Sequence, residues 1–333
     1  MSDDKISLVT GATGHVGFNL VQYLLAQGET VRAGVRDTGA RSDRVRALDV
    51  ELVRAELMDR ASLVAAMRGV EVVYSVAAAF RTWAKDPENE IERVNIDGTR
   101  NLVEAALETG VRKIVHVSSM TTVDASVQPL SAETWNPLNI NPYEHSKTQA
   151  EKLARRLVAD TGVEFVSILP SAIFGPGFFT PTGSAELFTT ILSGRFTVDP
   201  GLHLLAIDAR DVAKACHLAA VRGRDQGRYL ISNTTPVSTT AMVRTAQEMY
   251  PELGLKSPRT LSPAVLKPIA RASSWASRLT RRPPMMRPEI VRLYAGASHL
   301  RADTSATTRD LGLQPISNEQ TVRDSFRWAR EHF

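Results

Sequence analysis

Three glycines fall within seven residues at Gly11-Ala12-Thr13-Gly14-His15-Val16-Gly17, directly after the apolar run Ile6–Thr10 and ahead of a segment with helical spacing. Few features constrain a chain so tightly. Gly11 lets the chain turn sharply out of a strand, Gly14 lets backbone amides approach a pyrophosphate, and Gly17 lets the next helix pack on the sheet. The helix start then offers unpaired N–H groups and partial positive charge to phosphates. Three glycines alone also describe a plain structural turn; the strand–turn–helix context is what points to a dinucleotide.

The first half of the chain repeats that rhythm. Ile6–Thr10, Thr30–Val35, Val50–Val53, Val70–Ala77, Lys113–Val117 and Val163–Leu169 read as strands. Val16–Gln27, Ser62–Arg68, Ile91–Thr109 and Pro142–Thr161 read as helices, the first closed by Gly28. Alternating elements with continuous apolar strands predict an α/β fold, a Rossmann-type doubly wound parallel sheet covered on both faces. Beyond Gly175 only Leu202–Ile207 and Arg228–Ile231 look like strands, among short helices broken by proline. The expected division is a nucleotide-binding domain over residues 1–170 and a smaller, mostly helical substrate-binding region over 171–333, partly interleaved with the sheet.

Composition narrows the function classes. At 43% hydrophobic and 23% charged the 333-residue chain is ordinary globular material, which excludes collagen-like, coiled-coil and disordered readings. A single cysteine, Cys216, excludes intrachain disulfides and multi-cysteine metal sites, and its apolar neighbours make it a buried hydrophobe. The seven histidines lack metal spacing, so no metal is expected; His116 reads as a satisfied core residue and His145 as facing away from the cleft. The opening MSDDKIS is unlike a signal peptide, and no run approaches ~18 apolar residues, so a soluble, cytoplasmic protein is expected. The net charge of +4 comes with only 6% aromatics and with basic residues dispersed along the chain, except from Lys267 to Arg287, where six fall with no acid between them; this argues against a nucleic-acid partner.

Two further groups carry chemistry. The second strand ends in Val35-Arg36 where an NAD site wants an acidic residue, and Arg41 and Arg44 follow. Arg36 offers a planar cationic fork suited to a 2′-phosphate, so NADP(H) is expected over NAD(H); the plain alternative is a solvated surface arginine. The adenine is expected against Glu56 and Leu57. Tyr143-Glu144-His145-Ser146-Lys147 places a phenol and an ammonium at i and i+4 on one helix face. A nearby cation favours phenolate and makes the tyrosine a usable acid/base. Such a pair is common by chance, and its weight comes from lying 24 residues after Ser119, at the end of a strand whose C-terminal edge should line the crevice.

Together these residues resemble the extended branch of the short-chain dehydrogenase/reductase superfamily, nearly end to end. Thr10–Gly17 is similar to its glycine signature, Ser118-Ser119 to its serine position, and Tyr143 with Lys147 to its active-site pair. Val94-Asn95-Ile96-Asp97-Gly98-Thr99, Leu169-Pro170-Ser171, Phe174-Gly175-Pro176-Gly177 and Asp211-Val212-Ala213 continue the likeness, as does the ending from Asp303 through Leu311-Gly312-Leu313 to Trp328. Val31–Asp37 resembles the NADP strand of dihydroflavonol 4-reductase-like proteins. Ala78–Pro87 resembles a bacterial hopanoid-associated group named as sugar epimerases, and 3β-hydroxysteroid dehydrogenase-like proteins are also similar. The resemblance implies Tyr143 as general acid/base, Lys147 as its partner and ribose ligand, and Ser119 as the donor to the substrate oxygen, with Ser118 or Thr121 as substitutes. It implies cofactor contacts at Gly11, Thr13, Gly14, His15, Val16, Gly17, Ala77, Asn95, Pro170 and Ile173, where Asn95 has an equal reading as a helix-entry cap. A homodimer is the family's habit.

The substrate side departs from nucleotide-sugar enzymes. Ser171–Val198 contains no Asn, and the later strand is the apolar Leu202–Ile207, a poor lining for a diphosphate. Phe80, Thr121, Phe178 and Phe179, with Leu187, Phe188 and the region Leu261–Met286, are the expected substrate wall, suited to an apolar ketone, aldehyde, flavonoid or sterol. The plain alternative puts at least half of them in the core of the C-terminal region. The function expected is NADP(H)-dependent hydride transfer at a carbonyl or secondary alcohol, with a 3β-hydroxysteroid dehydrogenase or a nucleotide-sugar epimerase as alternatives. Within 264–282, Val265, Ile269, Ala272, Trp275 and Leu279 recur at helical spacing beside Arg271, Arg278, Arg281 and Arg282. That is the pattern of an interfacial amphipathic helix and equally of a docked one.

Overall fold

A computed structural model describes residues 6–80, 83–138, 141–181, 183–261, 263–280 and 297–333. The first half runs β1 (Ile6–Thr10), α1 (His15–Ala26), β2 (Thr30–Val35), α2 (Asp43–Arg46), β3 (Glu51–Arg54), α3 (Arg60–Met67), β4 (Val70–Ser75), α4 (Arg93–Thr109), β5 (Lys113–Val117), α5 (Pro142–Val158) and β6 (Glu164–Pro170). It continues with β7 (Ala172–Phe174), α6 (Glu186–Leu192), β8 (Val198–Asp199), β9 (His203–Leu204), β10 (Ala206–Asp208), α7 (Ala209–Arg222) and β11 (Arg228–Ile231). The last described elements are β12 (Val237–Ser238), α8 (Thr239–Met249), β13 (Arg259–Thr260), α9 (Pro263–Thr280) and α10 (Asn318–His332).

Seven parallel strands form the central sheet in the order β11-β6-β5-β4-β1-β2-β3. The apolar runs fill both of its faces. Val9, Val31, Val115 and Ile168 pack towards α1 and α7, while Leu8, Val73, Ile114 and Phe165 pack towards α3, α4 and α5. This is the doubly wound α/β architecture that the strand–helix alternation implies. The chain order reverses between β1 and β4, which opens a crevice at the strands' C-terminal ends. Gly11, Ala77 and Ser119 lie just beyond β1, β4 and β5, so the topology brings them to that one edge.

Several boundaries differ from the sequence reading. β4 stops at Ser75 because the Thr10 hydroxyl accepts from the amides of Val76 (3.1 Å) and Ala77 (3.2 Å), drawing both off the ladder. The helix expected from Ile91 begins as a π turn at Glu88–Glu92 and turns α-helical only at Arg93. Leu202–Ile207 is not one strand. It breaks at Leu205, so that β9 pairs antiparallel with β12 and β10 pairs parallel with β7. A separate cluster of Phe174, Phe188, Met242 and Phe326 holds α6, α8 and α10 together beside the sheet, while β11 returns to it next to β6.

Candidate active site

The glycine turn is shaped by contacts that leave no room for side chains. Gly11 has φ +68°, and a Cβ there would sit 2.9 Å from the Ala77 backbone. A Cβ on Gly17 would lie 2.1 Å from the Gly11 carbonyl oxygen, so α1 starts hard against the turn. Helix α1 has no side-chain N-cap and no acid in its first turn, and Thr13 and Gly14 are exposed in front of it. An open helix start with small exposed residues fits a dinucleotide pyrophosphate. Arg36 stands just past β2, its side chain 77% exposed and 4.0 Å from the Glu56 carboxylate. Leu57 packs on Gly98, where a Cβ would meet it at 2.9 Å.

Tyr143 and Lys147, the pair expected to move a proton, stand on α5. Asn141 caps this helix by accepting from the Glu144 amide (3.0 Å), and its own amide donates to the Glu144 carboxylate (2.8 Å), a reciprocal cap legible as Asn-x-x-Glu in the sequence. Pro142 sits at the first turn, so Tyr143 and Lys147 project from a rigid helix start. Both are buried. The Lys147 ammonium donates to the Val117 carbonyl at 2.7 Å, and burial lowers its pKa to about 8 against the upward pull of Glu151. Phe80 meets Tyr143 edge-on at 5.1 Å, packed so close to Gly183 that a Cβ there would overlap its ring. Ser119 Oγ accepts from both the amide (3.2 Å) and the hydroxyl (3.0 Å) of Thr121, which leaves the serine O–H to donate.

Beneath this pair lies a buried ionic hub that sequence reasoning missed. Glu151, one turn beyond Lys147, accepts from Ser118 (2.6 Å) and Arg228 (2.8 Å), with Arg155 at 3.4 Å. Burial pushes its carboxyl up, but the Arg228 charge, the Ser118 hydroxyl and Arg155 outweigh that and hold it at about 2. Arg228 also donates to Thr122 Oγ1 (2.9 Å) and to the carbonyls of Ala132 and Thr134, and lies over the Trp135 ring at 3.7 Å. The hub therefore ties β5, α5, β11 and the segment after Ser119 together. Its one sequence signal was Glu151 at i+4 from Lys147.

Some expected site residues do other work. Ser118 is spent on Glu151, which removes it as a substitute for Ser119. Asn95 is no helix cap: it lies inside α4, where it accepts from the Ala79 amide (2.7 Å) and donates to Ser146 (2.9 Å), tying the segment after β4 to α5. The His15 ring turns from the crevice to donate to the carbonyls of Gly175 and Pro176, and burial lowers its pKa to about 4.

Phe178 and Phe179 do not join Phe80 at Tyr143. Gly175 and Gly177, both at φ +93°, swing the chain back over α1, where Phe178 faces His15 and Phe333 while Phe179 packs between Phe18 and Trp328. Arg44 lies over Phe179 at 4.0 Å. Phe188 is core. Pro170 ends β6 opposite Ile231, and Ile173 lies half-buried beside the α1–α7 core. His116 is buried as expected but only half satisfied: Nδ1 meets Ser75 Oγ at 3.1 Å, and Nε2 has no hydrogen-bond partner among the described residues. Cys216 is buried, which pushes its thiol up to about 12. Among the described residues no cluster could hold a metal ion, and no helix is long and apolar enough to cross a membrane. Residues 281–296, including the arginines and methionines expected near the substrate wall, lie outside the described residues.

Comparison with known proteins places these features in a lineage. A family model described as the NAD dependent epimerase/dehydratase family matches residues 7–232. The chain is 34% identical to a sterol demethylase protein B of Methylococcus capsulatus over 98% of both chains. It is 31% identical to a putative dihydroflavonol 4-reductase of Synechocystis, covering 97% of this chain and 94% of the relative. Among solved structures it is similar to the crystal structure of gox2253, with a TM-score of 0.83, 30% identity and 98% of each chain covered.

Proposed function

The chain belongs to the NAD-dependent epimerase/dehydratase family of NAD(P)-dependent oxidoreductases and epimerases, and within it we propose that this enzyme reduces the carbonyl of an apolar substrate with NADPH. The observation that carries this reading is Phe80, 49% exposed yet set edge-on against Tyr143, with Ala84 and Ile91 packed on the same tyrosine. An aromatic wall at the reacting hydroxyl suits a hydrophobic ketone or aldehyde and gives a sugar diphosphate nothing to bind.

The open start of α1 would hold the pyrophosphate, and Arg36 the 2′-phosphate that distinguishes NADPH. Nicotinamide chemistry at this edge would provide the hydride for the carbonyl carbon. Tyr143 gives its phenolic proton to the carbonyl oxygen, so the C=O bond becomes CH–OH and the tyrosine is left as phenolate. The Lys147 ammonium stabilises that phenolate, and the Ser119 O–H donates to the same oxygen as charge develops.

A second reading rests on the relative named as a sterol demethylase protein, which matches along the whole chain. In it the same residues run in reverse, with Tyr143 as phenolate removing the proton of a sterol hydroxyl. The test is absorbance of NADPH and NADH with aryl aldehydes, a dihydroflavonol and a 3-ketosteroid, and UDP-glucose assayed alongside for epimerisation. NADPH consumption with an apolar carbonyl is expected. Interconversion of UDP-sugars without carbonyl reduction would overturn the proposal.

A further inference from the structure

Helix α9 carries apolar residues on its outward side as well as on its buried one. Leu266, Ala270 and Ser277 are buried along one stripe, whereas Val265, Pro268, Ala272 and Trp275, at spacings of three and seven on the opposite side, are exposed. Trp275 is 66% and Val265 46% exposed. Trp275 is the one exposed tryptophan of the chain's four; the other three are partly covered. Lys267 and Arg271 flank this face one turn apart, both exposed and in no ion pair among the described residues.

The charge around α9 is as one-sided as its surface. From Leu253 to Pro288 there is no Asp or Glu, while eight of the chain's 40 Lys and Arg fall in that stretch; without it the net charge of +4 would become −4. A docked helix in a globular protein points its apolar face inward and its charges outward. Here apolar groups share the solvent side with cations that form no ion pair among the described residues. Tryptophan amid cations favours a surface that is apolar below and anionic above.

We propose that the outward face of α9 docks on an anionic lipid bilayer, lying in the interface with Val265 and Trp275 inserted and Lys267 and Arg271 at the headgroups. The helix does not span: it carries too much charge and too few apolar residues to cross a bilayer. Neither residue pair belongs to the proposed active site, so this inference is independent of the substrate reading.

The test is cosedimentation of the full chain with vesicles of phosphatidylcholine, with and without phosphatidylglycerol, at rising salt. Binding is expected only to the anionic vesicles and should weaken with salt. Lys267→Gln with Arg271→Gln should lower partitioning roughly twentyfold, and Val265→Glu with Trp275→Glu should abolish it, both with unchanged far-ultraviolet circular dichroism. Quenching of tryptophan emission by brominated lipid should be lost in Trp275→Ser. No binding to anionic vesicles, binding unaffected by these variants, or a vesicle-free change of oligomeric state caused by Val265→Glu with Trp275→Glu and no vesicle binding would each overturn it. The last outcome would assign the face to a second copy of the chain.

Discussion

The two walls of the crevice are built on different principles. The glycine wall is held by backbone packed against backbone, so close at Gly17 and Gly11 that one added carbon would collide. The α5 wall is held by buried charge: Glu151 pairs with Arg155 and Arg228, while Lys147, Arg155 and Arg228 donate to carbonyls from three parts of the chain. The first wall restricts residue type at single positions. The second restricts combinations, because each buried ion is tolerable only while its partners are present. A crevice edge can thus be equally rigid by steric exclusion or by electrostatic closure, and the two should fail differently.

The sharpest test of that division is Tyr143→Phe. It should lower turnover about a thousandfold while the dissociation constant for NADPH, followed by fluorescence, stays within about twofold. Equal losses in both would merge the two walls into one. Next comes Arg228→Ala, which strands the Glu151 carboxylate; urea unfolding should show a loss of about 3–5 kcal/mol. A change under about 1 kcal/mol would mean that the hub is open to water.

The pH dependence comes third. With Lys147 titrating at about 8, kcat/KM should fall as pH rises through that value and the ammonium is lost. Its contribution to stability runs the opposite way. The folded pKa is lower than the unfolded value of 10.5, so between about pH 8 and 10.5 the unfolded chain holds the extra proton and stability rises with pH. Glu151→Gln removes the charge that props Lys147 up, and should move the alkaline limb of the rate profile to lower pH. An unmoved limb would detach Glu151 from catalysis. The smallest effect is expected at Arg36→Ala: roughly tenfold weaker NADPH binding, with NADH unchanged. Equal weakening of both would return Arg36 to the solvated surface.

How much of this was legible follows from the same contrast. The glycine turn, the alternation that implies a parallel sheet and the i,i+4 relation of Tyr143 to Lys147 are local facts. They depend on neighbours in sequence, on 3.6-residue periodicity and on conformations only glycine tolerates, so the chain displays them without folding. Phe80 was expected in the substrate wall, but nothing in its own neighbourhood says that Tyr143, 63 residues on, will lie against it.

Other placements were decided by tertiary structure alone. Phe178 and Phe179 look like any aromatic pair in sequence, but two left-handed glycines carried them over α1, Phe178 into the core and Phe179 half-buried against it. Ser118 and Ser119 are chemically identical neighbours in an extended segment, and their alternating directions gave one to Glu151 and the other to the cleft. Arg228, on the strand at the sheet's far edge, became the partner of a helix residue 77 positions earlier because β11 inserts beside β6. Backbone geometry is written residue by residue and can be read that way. Which side chains share a low-dielectric interior depends on which distant segments the sheet order makes adjacent, and that became visible only once the chain had closed.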